Sequence, residues 1–158
     1  MRVARFSVPG ADPRFGIVDT NDDGVDEVVV LRGDPIAASI DGGGYETTGE
    51  RIPLADVKLL APVIPRSKVV CIGMNYAEHR AELGHVGNEA PLMFLKPNTS
   101  IVGPGDAIQI PPVEGRIVHE GELAIVIGKV AKQVKAENWR DVVFGFTIAN
   151  DVSARDQM

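Results

Sequence analysis

A single cysteine, Cys71, stands among 158 residues, so no intramolecular disulfide framework can form and a reducing compartment fits. Aromatic residues make up 5% of the chain, too few for a platform on which nucleic-acid bases would stack. The 16 Lys and Arg are scattered and outnumbered by 22 Asp and Glu, giving a formal net charge of −6. That balance argues against a surface built to hold a phosphate backbone. No apolar run approaches the roughly 20 residues of a membrane span. The first residues, Met1 to Phe6, alternate like a strand and lack the apolar stretch of a signal peptide. With 3 His and one Cys, a soft-ligand zinc site has little material. What is left is a soluble, cytoplasmic protein with no nucleic-acid or membrane partner, long enough to bury a core.

Residues 1–60 read as a small N-terminal β domain. The alternating run Arg2 to Ser7, Ile17-Val18 and Val28 to Leu31 lie between Gly, Asp and Pro punctuation. Asp41-Gly42-Gly43-Gly44 reads as a loop, and Pro62 and Pro65 mark a boundary. Residues 61–158 form a second unit. Val69 to Ile72 is a buried-type strand ending at Gly73, and Tyr76 to Leu83 is a short helix stopping at Gly84. Strands are also expected at Met93 to Leu95, Ala107 to Ile110, Leu123 to Ile127 and Phe144 to Ala149, with a helix over Ala136 to Val143. The continuously apolar Leu123 to Ile127 should run into the core. Strands dominate, so the fold class is β-rich α+β or an all-β roll.

Several motifs reduce to simpler readings. Asp19-Thr20-Asn21-Asp22-Asp23-Gly24 begins like a calcium loop, but the twelfth position is Val30, so a hairpin turn on Asp23-Gly24 is the reading. Asn98-Thr99-Ser100 is a glycosylation sequon in a chain with no secretory signal. His119-Glu120 starts like a zinc-protease helix, yet Leu123 stands where the second His belongs. His85 reads as a solvated loop residue and Trp139 as a packing anchor.

Glu120-Gly121-Glu122 carries more. Residues two apart on a strand share a face, so both carboxylates converge while His119 points away. Two such carboxylates repel unless something positive lies between them, and a hard divalent cation serves. From this pair alone, a solvated acidic strand end is the simpler account. Asn150-Asp151 adds a third carboxylate at a strand end, with Arg155 four residues on and capping-box character over Ser153 to Asp156. All-oxygen ligation points to magnesium or manganese (Mg2+ or Mn2+). His79 and Glu82, at i and i+3, share a helix face, so Glu82 could orient the imidazole. An exposed surface pair is the plainer alternative. Gly73, Gly84 and Gly87 bracket this segment and would let it move as a lid.

Taken in order, these stretches resemble the fumarylacetoacetate hydrolase family, in its 2-hydroxyhepta-2,4-diene-1,7-dioate isomerase-like branch. The resemblance rests on Lys68 to His79, Phe94-Leu95-Lys96-Pro97, Ile101 to Asp106, Glu120 to Lys129 and Asn150 to Asp156. It implies a mixed β-sandwich roll behind the small N-terminal β domain, usually as a homodimer. It assigns the metal to Glu120, Glu122 and Asp151, a catalytic dyad on a lid to His79 and Glu82, and substrate contact to Lys96 and Arg155. Two departures accompany it. Relatives continue past this point through a segment with a substrate-binding lysine, so the resemblance implies a C-terminally incomplete chain. Some members carry a catalytic Gln two residues after the Asp of Ala-Arg-Asp, where this chain has Met158, with Gln157 one place earlier.

The reading that follows is a divalent-metal enzyme for small 2-oxo acids, of acylpyruvate type or unsaturated oxo-dicarboxylates. A metal-stabilised enolate would lead to C–C hydrolysis, decarboxylation or isomerisation. The competing reading is a non-catalytic metal-binding or ligand-binding dimer that keeps the same fold.

Overall fold

The computed structural model describes residues 1–82, 84 and 90–157, which pack as two compact units. One unit joins residues 1–62 to residues 103–158, and the other is Val63–Val102.

In the first unit, the N-terminal strands are β1 (Arg2–Ser7), β2 (Arg14–Thr20), β3 (Asp26–Leu31), β4 (Thr47–Pro53) and β5 (Lys58–Leu60). They form one antiparallel sheet in the order β4-β3-β2-β1-β5. The Asp-rich turn between β2 and β3 closes as its sequence requires. Asn21 Oδ1 accepts from the amides of Asp23 at 3.1 Å and Val25 at 2.9 Å, and Gly24 takes φ +79°. The alternating pattern of β1 and β3 places Ala4 and Phe6, with Val28 and Val30, inside. Phe6, Val28 and Val30 form the core, against which Val8, Val18, Ile52, Leu54 and Val57 pack. Gly16 lies between these strands, paired with Ala4 on one side and Val30 on the other.

Helix α1 (Pro35–Ile40) follows β3 and was not foreseen. Its cues are local: Asp34 Oδ1 accepts from the amides of Ile36 at 2.8 Å and Ala37 at 3.4 Å, and Pro35 occupies the first turn.

The second unit pairs β6 (Lys68–Gly73) antiparallel with β7 (Leu92–Pro97), and helix α2 (Ala77–Glu82) lies between them in sequence. Strand β6 forms where the Val-rich run predicts, but it is not a buried-type strand: Val70 and Ile72 are exposed. Gly84, at φ +75°, follows α2 and its amide donates to Ala81 at 3.0 Å. The Leu83 end of the expected helix, and His85 and Gly87, lie outside the described residues.

The remaining strands belong to the first unit: β8 (Ile117–Val118), β9 (Gly121–Ile127), β10 (Val143–Asn150) and β11 (Ser153–Ala154). Strand β9 pairs antiparallel with β10, and the shorter β8 pairs antiparallel with β11. The β9–β10 register slips by one residue between Val143 and Gly145, a β-bulge at Phe144.

Three expectations fail here. Ala107 to Ile110 forms no strand; Gly105 turns the chain at φ +77°, Pro111 and Pro112 follow, and Ile108 and Ile110 stay exposed. Ala136–Asp141 is a 3-10 helix, not an α-helix, and Val143 already belongs to β10. Strand β9 does not run into a core. Leu123, Ile125 and Ile127 are exposed, as are Phe146 and Ile148 opposite them, while Glu122, Ala124 and Val126 on the other face are half-buried. Apolar runs reveal strand identity, but burial depends on what covers each face. Trp139 packs edge-on to Phe146, with ring centroids 6.1 Å apart, and carries Arg140 over its ring at 4.4 Å.

Candidate functional site

Glu120, Glu122 and Asp151 all lie at the end of the β9–β10 pair where β8 and β11 begin. Strand register dictates this: Gly121 faces Asn150 and Glu122 faces Ala149, so the next position sets Glu120 against Asp151. The Asp151 amide donates to the Glu120 carbonyl at 2.8 Å, and the Glu120 amide donates to Asn150 Oδ1 at 3.2 Å. Glu120 and Glu122 share the half-buried face, as strand alternation requires, and His119 is exposed.

Arg155 reaches the same place. Its Nη1 is 3.2 Å from Glu120 Oε1, and both side chains are about three-quarters buried (27% and 26% exposed). The approach is an ion pair and not an aligned hydrogen bond, because Oε1 is buried and accepts none.

The segment that carries Arg155 is tied to the start of β8. The Arg155 amide donates to the Arg116 carbonyl at 2.9 Å. The Arg116 amide donates to Asp156 Oδ2 at 2.9 Å, and its guanidinium to Asp156 Oδ1 at 2.9 and 3.3 Å. These bonds, the guanidinium first, hold the Asp156 carboxyl below the usual carboxylate range. Gly115, at φ +109°, makes room: a Cβ there would stand 2.7 Å from Asp156 Oδ2. The capping box expected over Ser153 to Asp156 does not form. Ser153 is buried in β11 with its hydroxyl toward the Asp151 carbonyl at 3.5 Å, and Asp156 is engaged by Arg116.

Sequence reasoning missed Arg116, because its partner lies forty residues away. The glycine before it, followed by a short β-branched pair, was the only local hint.

The donor set suits a hard divalent cation in its chemistry, since it is all carboxylate oxygen and includes a buried Glu120 oxygen that accepts no hydrogen bond. Its side chains are not drawn together. Among the described residues, no three His, Cys, Asp or Glu are gathered closely enough to hold a metal ion.

The other candidates belong to the Val63–Val102 unit. On α2, His79 Nδ1 lies 3.5 Å from Glu82 Oε2, with the His79 side chain partly exposed and Glu82 largely so. The i, i+3 spacing brings them together as the helix geometry requires. Lys96 is half-buried on β7, opposite Val69 of β6. Among the described residues, no helix is long and apolar enough to cross a membrane.

Comparison with known proteins bears on the whole chain. Residues 68–158 match the fumarylacetoacetate (FAA) hydrolase C-terminal family, and residues 1–62 match the Rv2993c-like N-terminal family. Protein Rv2993c of Mycobacterium tuberculosis is 54% identical over 110 residues, 70% of this chain and 41% of that protein. The mitochondrial oxaloacetate tautomerase FAHD2A of Bos taurus is 38% identical over 169 residues, 99% of this chain and 54% of that one. Among solved structures, the 2-hydroxyhepta-2,4-diene-1,7-dioate isomerase of Mycobacterium marinum is similar at 41% identity and a TM-score of 0.81. It is matched over 99% of this chain and 56% of its own. A maleylpyruvate hydrolase from Sphingobium, solved with manganese(II) and pyruvate, is similar at 31% identity and a TM-score of 0.71, over 98% of this chain and 60% of its own. The chain thus spans about half the length of the curated relatives it matches. With more than half of its residues matched to the family and its fold shared with these structures, the chain belongs to the fumarylacetoacetate hydrolase family.

Proposed function

We propose that this chain supplies the metal-binding and proton-transfer residues of an enzyme for small 2-oxo acids. The substrates are of acylpyruvate type or unsaturated oxo-dicarboxylates, and the outcome is C–C hydrolysis, decarboxylation or isomerisation. One observation carries the reading: the β9–β10 register sets Asp151 against Glu120, with Glu122 two residues along on the same face. Glu120, Glu122 and Asp151 would hold a magnesium or manganese ion. Such an ion, when bound, supplies Lewis acidity toward a substrate carboxylate and its neighbouring oxo oxygen. The maleylpyruvate hydrolase solved with manganese and pyruvate supports both the metal and the substrate class.

The protein's own groups are assigned as follows. His79, oriented by Glu82 at 3.5 Å, accepts and returns the proton. Taken from a water molecule, that proton leaves a nucleophile for C–C hydrolysis; returned at another carbon, it gives the isomer. Lys96 and Arg155 meet the anionic ends of the substrate. Relatives named as a tautomerase, an isomerase and a hydrolase fit chemistry in which a proton moves beside a carbonyl. The working assembly is proposed to be a cytoplasmic homodimer.

A second reading is a non-catalytic metal-binding or ligand-binding dimer with the same fold, and the ungathered carboxylates favour its ligand-binding form. One experiment separates the two. Metal-stripped protein is titrated with manganese by calorimetry, and a panel of 2-oxo acids is then assayed for turnover. The enzyme reading expects one saturable site, lost in Glu122→Gln. It also expects turnover about a hundredfold or more slower in His79→Ala, with metal binding unchanged. Metal binding without turnover of any 2-oxo acid establishes the second reading. Metal-dependent turnover that survives both substitutions overturns the site assignment.

A further inference from the structure

We infer that Arg116 is a positioning residue: clamped to Asp156, it holds the turn that presents the Arg155 guanidinium to an anionic end of the substrate. The inference rests on the proposed substrate contact of Arg155 and adds a residue that acts through it.

The first observation is register. Strands β8 and β11 are only two residues long, with Ser153 paired to Val118 and Ala154 to Ile117. The same register sets Arg155 against Arg116 at the next position, where the Arg155 amide donates to the Arg116 carbonyl at 2.9 Å. A ladder this short is marginal by itself. It also ends on two guanidinium-bearing residues facing each other, which weakens a strand pair unless each charge is answered.

The second observation is how the Arg116 charge is answered. Its guanidinium donates to Asp156 Oδ1, from Nη2 at 2.9 Å and from Nε at 3.3 Å, while its amide donates to Asp156 Oδ2 at 2.9 Å. Both oxygens of the carboxylate next to Arg155 are thus bound by one residue. Gln157 adds a bond from Nε2 to the Glu114 carbonyl at 3.3 Å. Residues 114–116 are exposed and lie in no strand or helix, so packing does little to place them and these bonds do more.

Arg116 and Arg155 differ in surroundings. The Arg116 side chain is 74% exposed and spends its charge on Asp156. Arg155 is largely buried and has its own contacts, the Glu120 carboxylate at 3.2 Å among them. An exposed ion pair contributes little to stability. The consequence of the Arg116–Asp156 clamp is therefore one of placement: it fixes the backbone of the Arg155–Gln157 turn, and with it the root of the Arg155 side chain.

Steady-state kinetics with oxaloacetate and with maleylpyruvate, in the presence of manganese, test the inference. Arg116→Ala should raise KM about fivefold or more and leave kcat within about twofold, since the lost binding is shared by ground and transition states. Arg116→Lys, which keeps one charged contact to Asp156, should fall between Arg116→Ala and wild type. Arg155→Ala should raise KM by about 10- to 100-fold. The double variant should match Arg155→Ala alone, because Arg116 acts only through Arg155. The thermal midpoint of Arg116→Ala should stay within about 3 °C of wild type.

An unchanged KM in Arg116→Ala, with wild type active, overturns the inference and leaves the proposed function standing. A loss that adds in full to that of Arg155→Ala also overturns it, since a merely structural residue behaves so. Wild type inactive on both substrates overturns the proposed substrate reading and the inference with it. Should Arg116→Ala not fold, Arg116→Lys and Asp156→Asn carry the same cycle, with the same two outcomes overturning the inference.

Discussion

The amide of Asp151 donates to the carbonyl of Glu120 across 2.8 Å, one residue beyond the last ladder pair of β9 and β10. Two carboxylate-bearing residues thirty-one positions apart are thereby held as cross-strand neighbours, whatever their side chains do. Asn150 secures the arrangement from the other direction, its Oδ1 accepting the Glu120 amide at 3.2 Å.

Asn150→Ala removes that acceptor while leaving the ladder intact. We expect a loss of about 0.5–1 kcal/mol, the net worth of an exposed hydrogen bond, measured by urea unfolding. Manganese affinity should weaken in the same variant, because the Glu120 backbone is less firmly placed. Unchanged values of both quantities would show that the Asp151 bond alone is sufficient.

The N-terminal core depends on an absent side chain. A Cβ on Gly16 would overlap Val28 Cγ1 and stand 2.9 Å from the Val29 carbonyl oxygen, with Phe6 Cε1 at 3.3 Å. All three neighbours are backbone or fully buried side chain, so little can give way. Gly16→Ala should cost roughly 1–3 kcal/mol through overpacking, read as a lowered midpoint in thermal or urea unfolding. A neutral result would mean that β2 can shift against β3 without penalty.

Asp106 offers a pH signature. Lys58 Nζ lies 2.7 Å from its Oδ1, and the Gly103 amide donates to its Oδ2 at 3.0 Å. Lys58 first, and then the Gly103 amide, hold this carboxyl below its usual range in the folded protein. A depressed folded value means that the carboxylate stabilises the fold at neutral pH. The contribution begins to fade below the ordinary carboxylate value and is gone once pH falls through the folded one. Asp106→Asn should therefore be less stable than wild type at pH 7, and the difference should shrink in strongly acidic buffer. A stability gap independent of pH would trace the loss to packing and not to charge.

Local chemistry made much of this fold legible. Val28 to Leu31, Val69 to Ile72 and Phe144 to Ala149 are β-branched or apolar runs between turn residues, and each became a strand. The turn at Asp23-Gly24 formed because Asn21 and a left-handed glycine suffice to close it. Helix α1 escaped notice since six residues make too short a pattern for a 3.6-residue period to emerge. Burial was not legible: Leu123 and Val126 look alike in sequence, and only the surrounding chain decides which is covered.

The candidate site divides along the same line. Glu120 and Glu122 announce themselves through spacing on one strand, and His79 and Glu82 through spacing on one helix. The approach of Arg155 to Glu120 had no such signal. It arises from the pairing of β8 with β11 and from the Arg116–Asp156 clamp, both contacts between residues distant in sequence.

The bulge at Phe144 works as a counting device. It inserts one residue into β10 without a partner on β9, and Gly128 yields the space, since a Cβ there would sit 2.7 Å from Phe144 Cβ. Every pair beyond it is offset by one, as far as the carboxylates some 20 Å down the strand. Were Phe144 to pair with Val126 and the Val143–Ile127 pair kept, the ladder would close without a bulge and bring Asn150, not Asp151, against Glu120. Asp151 would then exchange one face of the sheet for the other. The protein would keep its strands and lose its spelling: a slip at one end of the ladder would scramble the acidic cluster at the other.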